Sequence, residues 1–119
     1  DMANAYAAYQ DGIRASMNKI GVSAIDRDLY VNNPLVSPGA ANLTLAFIMR
    51  EKYKALFLNP ETWNDARRFN YAYKDFMLPV NAVLTSYIRR LDYPSVELTR
   101  NGANVPAVGS LADKLWWDQ

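Results

Sequence analysis

The chain has 119 residues, enough for one small domain, with half of them hydrophobic, 13% aromatic and a formal net charge of +1. That balance argues against nucleic acid or an acidic membrane as partner, since both demand clustered basic charge. With neither Cys nor His, the chain has no disulfide, thiolate nucleophile or histidine base, and most zinc chemistry is excluded.

In chain order, residues 3 to 20 read as a helix. Tyr6, Tyr9, Ile13, Met17 and Ile20 recur at three and four. Ala5, Ala8, Gly12 and Ser16 form a small-residue strip beside them. Gly12 costs about 1 kcal/mol of helix propensity against Ala, and close approach of a neighbouring helix is the expected compensation. Gly21 suits a left-handed helix stop. Residues 22 to 39, with Asn32, Asn33, Pro34, Pro38 and Gly39, read as a loop.

A second helix is expected over residues 40 to 58, with Leu45, Ile48, Met49, Tyr53, Leu56 and Phe57 inward and Arg50 and Lys54 outward. Asn59 caps the next helix, Pro60 takes its first position and Glu61 complements its dipole. That third helix runs from 60 to 68 and carries Trp63, read as core, and the pair Arg67 and Arg68. Glu51 lacks a base four residues on, so Arg67 or Arg68 is expected to fold back onto it as a corner clamp. The pairs Arg67-Arg68 and Arg89-Arg90 have acidic neighbours in Glu61, Asp65 and Asp92, which predicts locally paired charge.

Beyond Phe69 the period is lost. Tyr71 and Tyr73 form the expected exposed aromatic pair of an irregular loop. Tyr87, Leu91 and Tyr93 fall on one side of a predicted short strand within 84 to 93. Ser95 to Leu98 makes one helical turn capped by Ser95, Asn101-Gly102 is a turn signal, and residues 103 to 112 are small and flexible. Trp116 and Trp117 are expected to lock the tail onto the body. The fold class is therefore mostly α, helical over 1–68 and irregular over 69–119.

Carboxylates are the conventional acid–base groups left. Asp26 and Asp28 in the expected loop, or Glu61 and Asp65 on a helix, do not form the facing pair that glycosidase chemistry needs. The Asp26–Asn33 stretch lacks the Gly and closing Glu of a calcium loop. No catalytic residue, metal or cofactor is assigned. Aromatic rings stack on sugars, and Tyr71 and Tyr73 are the ligand-contact candidates.

Four segments carry a family resemblance. Met49 to Phe57 followed by Asn59 to Arg68 resembles the C-terminal part of the SusD/RagB proteins of Bacteroidetes. Tyr9 to Met17 resembles the family's Gly-Ile-x-x-Ser helix. Ile88 to Glu97 resembles its Arg-Leu-x-Tyr-Pro-x-x-Glu strand, with Asn101 following. Trp116-Trp117-Asp118 resembles the terminal Trp-Trp-Asp of the SusD-like branch. The resemblance covers residues 6 to 118. It implies helix pairs followed by an irregular region, in the last quarter of a longer chain. It also implies a surface lipoprotein of the outer membrane whose lipid anchor lies in a preceding segment. Such proteins bind glycans or peptides without catalysis and deliver them to a SusC-type TonB-dependent transporter. In that frame Glu51, Pro60, Trp63, Arg67, Arg68, Trp116 and Trp117 are architectural. The alternatives are a purely structural, channel-docking segment and, more remotely, a glycoside hydrolase using Glu61 or Asp26.

Overall fold

The computed structural model describes residues 1–118. Among them are five α-helices, α1 (Met2–Lys19), α2 (Ala24–Val31), α3 (Leu45–Ala55), α4 (Glu61–Arg68) and α5 (Ser95–Asn101), with short 3-10 turns at Ala40–Asn42 and Gly102–Asn104. The fold is mostly α, as the sequence predicts. The chain divides into two compact units, residues 1–76 and 77–119.

In the first unit, α1 starts at Asp1, whose carboxylate accepts from the Ala3 N–H at 2.9 Å. It stops at Gly21, where φ is +79°. Val22 N–H donates to Met17 C=O and Gly21 N–H to Asn18 C=O, both at 3.1 Å, the paired bonds of a Schellman cap. Tyr9 and Ile13 point inward and join Val31, Val36 and Leu43 in one core cluster.

The loop expected over 22–39 instead contains α2. Ser23 opens it: its hydroxyl accepts from the Asp26 N–H at 3.2 Å and donates to the Asp26 carboxylate at 2.7 Å. This reciprocal cap opens a helix of eight residues, too short for a repeated apolar face to stand out. Val31, wholly buried at its end, supplies the packing. The segment after α2 is tied back to α1 by the Tyr9 hydroxyl, which donates to Val36 C=O at 2.6 Å.

The helix expected over 40–58 is broken. A 3-10 turn precedes α3, and buried Leu43 separates the two. The inward face of α3 centres on Met49 and Glu51, whereas Leu45 and Phe57 are exposed. Arg50, expected outward, is largely covered. At the corner, Asn59 Oδ1 accepts from the Glu61 N–H at 2.9 Å, and Pro60 holds φ at −56° as α4 begins. A second cluster gathers Met49, Ala66 and Tyr73, flanked by Phe69, Tyr71 and Phe76.

In the second unit, residues 84–93 form no strand; among the described residues there is none. The Arg89 and Arg90 N–H groups both donate to Leu111 C=O, at 2.8 and 3.2 Å, so one acceptor serves two donors where a ladder would alternate them. α5 is longer than the single turn expected. Its cap position is Pro94, and Ser95 lies inside the helix, its carbonyl accepting from the Thr99 hydroxyl at 2.8 Å. The tail is fixed by Asp118, whose two oxygens accept from Arg89 Nε at 2.7 Å and Nη2 at 2.6 Å. Trp116 is 84% exposed, so it does not serve as the expected lock, and Trp117 is about half covered.

Candidate functional site

Glu51 is the centre of a connected polar cluster. It is 6% exposed. Its Oε1 accepts from Arg50 Nε at 2.8 Å and Lys54 Nζ at 2.7 Å, and its Oε2 from the Tyr30 hydroxyl at 2.7 Å. Lys54 Nζ also donates to the Tyr30 oxygen at 2.8 Å. Burial alone pushes the Glu51 carboxyl up, but the bonds from Lys54, Tyr30 and Arg50 outweigh it and hold the group below its ordinary range. Arg50 also reaches Asp75 Oδ2 at 3.1 Å and Leu35 C=O at 2.5 Å, so it brackets three chain segments.

This overturns the expected clamp from Arg67 or Arg68. The bases stand at i+3 (Lys54) and next to Glu51 (Arg50) rather than at i+4, and Tyr30 arrives from α2, where a loop is expected. Arg67 is buried, donates to Asn64 Oδ1 at 2.6 Å and lies 4.0 Å over the Trp63 ring, while Arg68 is exposed. The corner does have an ion pair, from Lys52 Nζ to Asp65 Oδ2 at 2.6 Å.

Beside the Glu51 cluster lies an open cleft of about 430 Å³ between α1 and α3. Ile13, Met17 and Ile48 make its apolar floor, and Gly12 lies on the α1 wall. A Cβ at Gly12 would meet nothing within 4 Å, and Ala5, Ala8 and Gly12 are exposed. The small-residue strip therefore faces open space among the described residues, contrary to the close helix contact expected of it.

The aromatic pair behaves differently from expectation. Tyr73 is 7% exposed and packs edge-on against Tyr53, with centroids 6.0 Å apart, and against Phe76 at 5.3 Å. Burial, aided by Asp65, raises its hydroxyl to about 12. Tyr71 is half-buried, stacks on Phe76 and accepts from Trp63 Nε1 at 3.2 Å. The positive φ of Asn70 and Tyr71 turns the chain back over α4 and folds these rings inward. Trp63 is half-buried rather than fully core. The exposed aromatic side chains include Phe57 as well as Trp116 and Trp117.

The remaining carboxylates are already engaged. Arg27 binds Asp28 through two bonds of 2.9 Å, and Arg14 Nε lies 3.7 Å from it. Asp26 is committed to the Ser23 cap, and Glu61 Oε1 accepts from Asn64 Nδ2 at 3.2 Å. Asp26 and Asp28 lie on α2 and Glu61 on α4. Comparison of the chain with family models, curated proteins and solved structures finds no match in any of the three.

Proposed function

We propose that this chain is part of a SusD/RagB-like, non-catalytic binding protein that captures glycans, or peptides, at the outer-membrane surface for a SusC-type TonB-dependent transporter. The observation that carries the binding reading is the exposed Trp116 face on a tail pinned by the Arg89–Asp118 pair. An exposed indole on a pinned stretch of chain offers an apolar plane to pyranose C–H groups. The engaged carboxylates support a reading without acid–base chemistry. The family, the partner transporter and the surface location in this reading rest on the resemblance of the four sequence segments.

Titration calorimetry against a panel of polysaccharides, with reducing ends assayed in parallel, tests this reading. Binding is expected without turnover, and Trp116→Ala weakens it. Turnover abolished by Asp26→Asn or Glu61→Gln would establish a hydrolase instead. The second reading, a structural and transporter-docking segment, is favoured by the burial of Tyr73. It requires that Trp116→Ala, Trp117→Ala and Tyr71→Ala all leave glycan binding unchanged.

A further inference from the structure

We propose that residues 79–84 form an endoproteolytic cleavage site for a protease whose specificity pocket takes a small aliphatic side chain. A protease cleft binds its substrate as an extended strand, so a cut segment must first give up its own backbone bonds. Here there is little to give up. Residues 77–86 contain no helix, and among the described residues they carry a single backbone hydrogen bond, from the Ala82 N–H to Pro79 C=O at 3.1 Å. That bond closes a turn over Val80 and Asn81, with Asn81 at φ +64°. Opening the turn returns Asn81 to ordinary backbone geometry. Pro79 then favours the extended form, since its ring fixes its own φ and keeps Leu78 out of the helical region.

The side chains set the class of enzyme. Val80 is 90% exposed and Val83 99%, and Ala82 between them is exposed as well, so each enters a small apolar pocket without leaving a core. No Lys, Arg or aromatic residue lies between Phe76 and Tyr87, which leaves trypsin-like and chymotrypsin-like enzymes no preferred residue there. Other exposed aliphatic positions are tied down. Around Leu58, the Leu56, Phe57 and Asn59 N–H groups all donate to nearby carbonyls. Leu35 donates to Asn33 Oδ1 and its carbonyl accepts from Arg50. Hydrolysis adds one water across the bond after Val80 or Val83, leaving a carboxylate on the valine and an ammonium on Asn81 or Leu84. Both apolar clusters lie before the segment and the Arg89–Asp118 clasp lies after it, so the cut breaks none of these contacts.

The test is limited digestion of the 119-residue chain with pancreatic elastase, read by intact mass over time. The first products are expected to be one complementary pair, cut after residue 80, 82 or 83. The N-terminal product, which keeps both apolar clusters, should outlast the parent chain. Val80→Asp, Ala82→Asp and Val83→Asp together offer the apolar pocket a charge, and are expected to slow cleavage in the segment at least about tenfold. All three sites are exposed, so the melting temperature should hold. A first cut outside residues 79–84, an undiminished rate in the triple variant, or an N-terminal product that vanishes as fast as it forms each overturns the proposal.

Discussion

Lys52 Nζ lies 2.6 Å from Asp65 Oδ2 and joins α3 to α4 across the Asn59-Pro60 corner. The aspartate side chain is 9% exposed and the lysine 48%, so removing the lysine strands a mostly buried carboxylate. Lys52→Met should therefore cost about 1 kcal/mol, below the value for a wholly buried pair because solvent screens the ammonium. Urea unfolding checks this against Arg68→Met, an exposed site expected to change stability by less than about 0.5 kcal/mol. Equal losses would show that the pair does not hold the corner.

The Glu51 cluster makes an acid-side prediction. The folded carboxyl titrates below its ordinary value of 4.5, so near pH 4 the unfolded chain binds more protons than the folded one. The stabilisation is complete above 4.5 and is lost as pH falls through the lower folded value. Glu51→Gln should melt lower at neutral pH and show a shallower decline on acidification. Melting curves at pH 7, 5, 4 and 3 would reveal parallel declines if Glu51 contributes nothing.

Tyr9 makes the opposite prediction in base. Burial first, then the nearby Glu51 charge, raises its hydroxyl from 10.0 to about 12. The unfolded chain loses this proton first, so stability present below pH 10 is lost as pH climbs toward 12. Tyr73 adds the same slope. Tyr9→Phe leaves Val36 C=O without its donor and should cost about 1–3 kcal/mol at pH 7. The penalty should shrink above pH 10. A penalty constant from pH 8 to 11.5 would count against the burial argument.

Leu58 is 86% exposed and sits at φ +63°, a conformation that costs a side chain roughly 1 kcal/mol. Leu58→Gly should raise stability by up to about 0.5 kcal/mol, after allowing for the greater freedom of glycine in the unfolded chain. Leu58→Ala keeps the Cβ and should not. Thermal unfolding of the two variants side by side decides the matter.

How much of this was readable beforehand depended on the range of the interactions involved. α1 and α4 were legible because their signals are local: a periodic face, Gly21 as a stop, Asn59-Pro60-Glu61 as a start. α2 was hidden because its eight residues make barely two turns, although Ser23 three residues before Asp26 is a capping pattern. Arg50 was misplaced because periodicity puts charges outside, and its partner Asp75 lies 25 residues along. Tyr73 was misplaced for the same reason: three positive-φ residues between 70 and 75 turn an irregular stretch inward, and no period records that. The candidate site was partly in view, since Glu51 was singled out. Its partners were not, because Tyr30 comes from the unrecognised helix.

The bond between Arg89 and Asp118 spans 29 positions and makes a ring of the intervening chain. A disulfide at the same places would restrict the unfolded chain permanently. This clasp exists only when the native geometry does, and its ends must find each other against the entropy of a long loop. It is indifferent to reductant, and salt screens it little because both ends are buried. The ring closes just beyond Trp116 and Trp117, so both belong to a tethered loop.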